Sequence, residues 1–385
     1  MRGIFSRLHR WVGLTIAGFL AIAGLTGSII VFYQELDRAL NPELFYAPAT
    51  TARLSPTTLA ARVEAQLPGA HVTLLSIPAA GRASEIWVVP TGTPLAYDQV
   101  FADPSSGNVL GKRHWGEAGL SRAQLMPMLY LFHYSLKLPG VWGLFLMGGI
   151  ACLWTTDCFV AFVLTLPRGT PFWKKWSTAW TIKRNAGAYR LNFDLHRAGG
   201  LWLWALLLIL ASSGVALNLP TQVFRPLLQS FTTLSPTLAD LPPSQPHTAK
   251  LSFDDALRLA AAQPHTQKFV PQWLYRGPGY LSVSYGSHGD KGLDGFGLST
   301  MAFDDVRGRL LLHEEAGKGR VADIYAGMQY QLHTGRVLGW PGRILVFFAG
   351  LAVAMLSVTG IVIWAKKRRA RSLTQRRTSA AVPAV

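Results

Sequence analysis

The chain has 385 residues, half of them hydrophobic, with 13 tryptophans and a mean hydropathy of +0.23, which excludes an ordinary soluble domain. Its formal charge of +17 raises nucleic acid as a partner, but the distribution argues against one. Residues 1–10, 167–197 and 366–385 hold 17 of the 37 Lys and Arg with Asp194 as their one acid, and the two long loops between them are close to neutral.

The first predicted element is an apolar span over 11–33, preceded by Arg2, Arg7 and Arg10. That flank imitates a signal peptide, but the run is too long for one and reads as an uncleaved anchor. Further spans are expected over 138–166, 198–224 and 344–365. Each is long enough to cross a hydrocarbon core of about 30 Å, which takes about 20 helical residues. Asp157 is the single formal charge within the four spans. The positive-inside rule places the basic segments and both termini in the cytoplasm and both long loops on the other side. The expected layout is therefore 1–33 with the first span, a loop domain over 34–137, the second span 138–166 and a basic cytoplasmic loop 167–197. The third span 198–224, a second loop domain 225–342, the fourth span 343–365 and a basic tail 366–385 complete it. Cys152 and Cys158 both lie in the second span, so no disulfide framework is expected. Beyond Arg371 the tail shows no apolar periodicity and is expected to be unstructured.

The two loops read alike. In the first, Ser55 caps a helix that has Pro56 at its first position and Leu59, Val63 and Leu67 on one face. Strands follow over 71–77, 85–89 and 97–101, then a turn from Asp103 to Gly107 and a last strand over 108–110. The second loop places Ser252 before a helix over 253–262, strands over 268–274, 280–285 and 298–303, and a turn from Asp304 to Gly308. A Pro-rich connector covers 219–250, and a Gly-rich insertion over 286–297 has no counterpart in the first loop. The insertion suits either a ligand-contacting lid or an exposed hairpin tip. The fold class is an integral membrane protein of four transmembrane helices from an internal duplication, with two α+β domains outside the membrane.

The spans repeat as well. Leu8-His9-Arg10 opens the first and Leu195-His196-Arg197 the third. In each, a glycine lies four residues on, Gly13 and Gly200, and a hydroxyl-glycine pair follows further along, Thr26-Gly27 and Ser213-Gly214. On a helix the glycine lies one turn from the imidazole, where a flat group can rest against the backbone. Headgroup contact and close helix packing would also use these residues. Before the second and fourth spans, Met128, Tyr130 and His133 recur as Met328, Tyr330 and His333. Four histidines thus form two pairs, one at each membrane face, which suits bis-imidazole ligation of two non-covalent b-type haems, since the chain has no Cys-x-x-Cys-His. Zinc is the competing ion, but two histidines leave it short of four ligands. Arg10 and Arg197, with Lys137 and Arg336 at the other face, suit haem propionates and equally suit snorkelling. Met128 or Met328 can replace an axial histidine or simply fill space. Asp157, as an intramembrane acid, is a functional candidate by default. No catalytic residue is assigned, and no Gly-x-Gly-x-x-Gly motif offers a nicotinamide or flavin site, so a separate donor is expected, either a soluble cytoplasmic reductase or the quinol pool.

The Leu-His-Arg openings, the paired α+β loops ending in Asp-x-x-x-Gly and the Pro139-Gly140 and Pro341-Gly342 entries to the spans resemble the PepSY-associated transmembrane family across almost the whole chain. Within that family the likeness is to ferric-siderophore reductases of the bacterial inner membrane, of the ferrioxamine type. The resemblance implies PepSY-like periplasmic domains, two haems and electron transfer to a periplasmic ferric siderophore such as a hydroxamate. Tyr130 and Tyr330, three residues before His133 and His333, are then substrate or propionate candidates, or interfacial-belt tyrosines. A membrane-anchored sensor or peptidase-binding module and a siderophore permease are the alternatives.

Overall fold

The apolar runs do become long helices. The computed structural model describes residues 1–49, 52–241, 249–264, 269–286 and 293–380. The helices Arg2–Ile30, Trp142–Thr165 and Trp340–Gln375 are each apolar and long enough to span a membrane. The last continues as helix to Ala380, so the basic tail expected to be unstructured is helical at least that far.

The third span differs from its expected form. In place of one helix over 198–224, a helix Ala188–Trp202 meets a second, Trp204–Asn218, at a bend of 70°, and Pro220–Phe224 winds as a π turn. Leu203 takes φ −100° and ψ 3° at the break. The indoles on either side are held by different elements: Trp202 donates to the Trp180 carbonyl at 3.0 Å, Trp204 to the Cys158 carbonyl at 2.9 Å. Gly199 and Gly200 just before the bend lower the helical preference that would oppose it.

Two compact units result. The membrane unit comprises Met1–Val31, Phe132–Phe224 and Ile344–Val385. Within it the second span packs against the first span and against Trp204–Asn218. Arg2 donates to the carbonyls of Leu164 at 2.5 Å and Leu166 at 2.8 Å, so a cation meets the last carbonyls of the second span. The first and fourth spans cross where Gly24 faces Gly350, and Ser28 donates to the Phe347 carbonyl at 2.8 Å. A Cβ at Gly24 would lie 2.5 Å from the Gly350 carbonyl oxygen, so the crossing depends on small residues.

The second unit, Phe32–Leu131 and Arg225–Arg343, overturns the expectation of two separate α+β domains. Its strands are β1 Ala70–Ser76, β2 Ser84–Pro90, β3 Gln99–Ala102, β4 Val109–Arg113, β5 Pro271–Gly277, β6 Tyr280–Tyr285, β7 Ser299–Asp304 and β8 Leu310–Glu314. They form a single antiparallel sheet in the order β4-β3-β2-β1-β5-β6-β7-β8. The halves join at β1 and β5, where Leu74 faces Tyr275 and Ser76 faces Trp273. Alone, each half would present an open edge of unpaired backbone, and pairing β1 with β5 removes both.

The two loop helices lie on one face of this sheet. Pro56–Gln66 and Phe253–Ala261 bury Leu59, Val63, Phe253 and Ala256 in one core with Ile86, Leu274, Leu281 and Phe303. Both expected caps form, since Ser55 accepts from the Thr58 amide and Ser252 from the Asp255 amide. The caps also meet each other: Ser55 donates to Asp254 at 2.7 Å, and the Asp254 amide donates to the Thr57 hydroxyl at 3.1 Å.

Both Asp-to-Gly turns form as expected. Asp103 accepts from the Ser105 amide at 2.9 Å and Asp304 from the Arg307 amide at 2.7 Å. Gly107 and Gly308 close them at φ +78° and +70°, a region that favours glycine. Of the Gly-rich insertion, residues 287–292 lie outside the described residues, as does the first residue of the strand expected from 268.

A buried ion pair anchors the first half of this unit. Arg113 donates to both Asp37 oxygens at 3.1 and 2.8 Å and to Gln99 at 2.8 Å, and neither charged side chain is more than 2 % exposed. Arg113→Met would strand the Asp37 carboxylate, and such losses cost about 3–5 kcal/mol. The expected result is faster proteolysis and a lower unfolding temperature. Unchanged protease resistance would show the pair to be dispensable.

Candidate functional site

Two of the four candidate histidines meet inside the membrane unit. His9, on the first span, and His196, on the Ala188–Trp202 segment, have ring centroids 6.1 Å apart at an interplanar angle of 53°. Two imidazoles that ligate one metal from opposite sides through bonds of about 2.0 Å place their ring centres about 6 Å apart.

Each ring is held by the nitrogen that would not ligate. His9 Nδ1 lies 3.0 and 2.9 Å from the two Asp157 carboxylate oxygens. His196 Nδ1 lies 3.1 Å from the Leu356 carbonyl and 3.0 Å from the Thr359 hydroxyl. An ionised carboxylate and a carbonyl can only accept, so each Nδ1 donates to its partner, and a neutral ring held this way has its lone pair on Nε2.

His133 follows the same rule on another part of the unit. It lies near the end of the helix Arg122–Ser135, with Nδ1 3.0 Å from the Thr26 hydroxyl of the first span. The Thr26 hydroxyl also lies 2.7 Å from the Ile22 carbonyl, so the threonine is fixed on its own helix where it meets the ring. Thr26 stands 17 residues along the helix from His9, which at 1.5 Å per residue is about 26 Å of rise. His9 and the Thr26 seat therefore lie near opposite ends of the first span.

Of the two expected hydroxyl-glycine pairs, Thr26-Gly27 is a seat for a ring, and a third such pair, Thr359-Gly360, seats another. A Cβ at Gly27 would come within 3.0 Å of His133 Cε1, and a Cβ at Gly360 within 3.1 Å of His196 Cε1. In each case threonine bonds the ring nitrogen and the glycine beside it gives the ring room. Sequence reasoning found Thr26-Gly27 by its offset from His9 but missed Thr359-Gly360. The signal was present, because Thr359-Gly360 repeats the same dipeptide within the fourth span. The glycines expected to face a flat group do leave space: a Cβ at Gly13 would meet nothing within 4 Å, and one at Gly200 only Leu356 methyls from 3.7 Å outward.

The two arginines differ. Arg197 already donates to Asp194 at 2.8 Å and to the Thr178 carbonyl at 2.7 Å, and Asp194 also holds Arg190 at 2.8 Å. Arg10 forms no ion pair among the described residues, although the buried Nε of each arginine lacks a hydrogen-bond partner. Of the two, Arg10 is the cation available to an anionic ligand group.

The remaining candidates lie in the second unit or at its margin. His333 and Tyr330 are on the helix Gln329–Thr334, and Met328 precedes it. The Tyr330 hydroxyl engages Arg336, which is itself buried and paired with Asp294 at 3.2 Å and Gln34 at 3.1 Å, so its charge is already met. Tyr130 packs edge-on to Tyr33 and Trp115, with centroids 5.4 and 5.7 Å away. Met128 lies one turn before Phe132 on the helix that carries His133. Both tyrosines thus have structural partners.

Among the described residues, no three His, Cys, Asp or Glu side chains converge to hold a metal ion. Asp157 engages His9 through Nδ1, so it stands behind the ring and leaves the Nε2 side to any ligand. This leaves two imidazoles, which a zinc ion would find too few and an iron already held by four porphyrin nitrogens would find sufficient. The PepSY-associated TM region matches residues 6–367 of this chain. No curated protein matches it.

Proposed function

The chain belongs to the PepSY-associated TM region family, and from that premise we propose that it is a di-haem reductase of the bacterial inner membrane. In this reading it takes electrons on the cytoplasmic side and delivers them to a ferric siderophore in the periplasm, with release of Fe(II). The observation that carries the proposal is the common placement of His9, His196 and His133, each with Nδ1 within 3.1 Å of a polar partner on another helix. Metal-ligating histidines are held in this way, since the partner on the second nitrogen fixes both tautomer and ring orientation.

A b-type haem between two such imidazoles supplies one-electron transfer. The protein's own groups do the rest. Asp157, Leu356, Thr359 and Thr26 orient the rings, Gly13 and Gly200 leave a flat face open, and Arg10 offers its guanidinium to a propionate. His133 is the outer ligand seated in the membrane unit, and the sequence repeat names His333 as its counterpart. The mirrored strand order about β1 and β5 supports the internal duplication. Ferric ion held by hard siderophore oxygens loses affinity for them as Fe(II), so reduction releases it and leaves the chelator whole.

The reductase reading accounts for ring-holding contacts near both ends of the first span, which a peptide sensor has no use for. A permease would need a polar path, and the spans carry a single formal charge. The test is spectroscopic. Protein purified after haem-supplemented expression is expected to show a Soret band, sharpened and shifted by dithionite, with about two haems per chain. A chain that binds none would end this reading.

A further inference from the structure

The two inner imidazoles are held by unlike partners. His9 is backed by the Asp157 carboxylate, with both oxygens within 3.0 Å, and His196 by a neutral carbonyl and a neutral hydroxyl. The Asp157 side chain is 10 % exposed and forms no ion pair with Lys or Arg among the described residues. Packing alone does not call for a charge there, because the corresponding contact on His196 Nδ1 comes from Thr359, a neutral hydroxyl, at 3.0 Å. A carboxylate in a span that no Lys or Arg neutralises is costly to keep and marks function.

Resting on the two-haem reading, we propose that Asp157 is a positioning residue that lowers the reduction potential of the inner haem below that of the outer one. It thereby sets the direction of electron flow from the cytoplasmic to the periplasmic side. Two effects act together. The carboxylate accepts the His9 Nδ1 proton and increases electron donation from Nε2 to iron. A ferric porphyrin with two neutral imidazoles carries one net positive charge at its centre and the ferrous form none, so a fixed negative charge nearby favours the ferric state. In a low-dielectric span that preference is little screened. Asp157 itself moves neither electron nor proton; the electron comes from the quinol or soluble reductase that serves the inner face.

The test is spectroelectrochemical titration of wild type, Asp157→Asn and Asp157→Glu, with His196→Ala used to identify which midpoint belongs to the inner haem. Asp157→Asn is expected to keep two haems per chain and to move the inner midpoint positive while the outer stays in place; Asp157→Glu is expected to stay near wild type. An unmoved inner midpoint in Asp157→Asn, an equal movement of both midpoints, or a movement in Asp157→Glu as large as in Asp157→Asn would overturn the proposal. Loss of the inner haem from Asp157→Asn would also overturn it, by showing that the carboxylate seats His9 and does not tune the iron. A wild type without haem would instead remove the function on which the proposal rests.

Discussion

His196→Ala is expected to purify with one haem per chain in place of two, and with the outer haem still reducible by dithionite. The imidazole has no substitute nearby: among the described residues the other histidine at that place is His9, already committed to the opposite side of the pair. His9→Ala is expected to give the same loss. Thr359→Val is a milder test, since it removes one of the two Nδ1 partners and leaves the Leu356 carbonyl. Loss of such a partner costs about 10- to 100-fold in affinity, so haem content should fall with dilution while the full complement returns at excess haem. His71→Ala is the control, because His71 Nδ1 also lies 2.9 Å from a carboxylate, Glu64, but on the sheet unit. If His196→Ala keeps two haems, or His71→Ala loses one, the inner site is misassigned.

Gly27→Val is expected to abolish the outer haem and, with it, reoxidation by ferric siderophore. The Cβ alone would stand 3.0 Å from His133 Cε1, and the ring cannot retreat without breaking the bond between its Nδ1 and Thr26. The glycine is therefore part of the imidazole's seat. The measurement uses proteoliposomes reduced with dithionite, cleared of excess reductant, and mixed with a ferric hydroxamate siderophore and an Fe(II) chelator. Wild type should reoxidise as coloured Fe(II) chelate appears. Gly27→Val should retain a dithionite-reducible inner haem that reoxidises far more slowly, and Gly18→Ala should behave as wild type because a Cβ at Gly18 meets nothing within 4 Å. Reoxidation of Gly27→Val at the wild-type rate would place the exit of electrons elsewhere.

Much of this architecture is readable from the chain because its signals are local. Ser55 and Ser252 cap their helices through atoms three residues away, and the turns from Asp103 to Gly107 and from Asp304 to Gly308 close on their own carbonyls. Spans announce themselves by length and hydropathy, and the recurrence of Leu-His-Arg marks His9 and His196 before any contact is known. What lies beyond that range depends on partners far away in sequence. The pairing of β1 with β5 joins strands about two hundred residues apart, and nothing in either strand names the other, so two loops that read as separate domains become one sheet. The 70° bend at Leu203 follows from indoles anchored to Trp180 and Cys158, neither of which is a neighbour in the chain. Histidine type and position make the rings candidate ligands, whereas the partner that meets each Nδ1 depends on the face a neighbouring helix presents. That choice belongs to packing: Asp157 stands behind His9, Thr359 and the Leu356 carbonyl behind His196, and Thr26 behind His133.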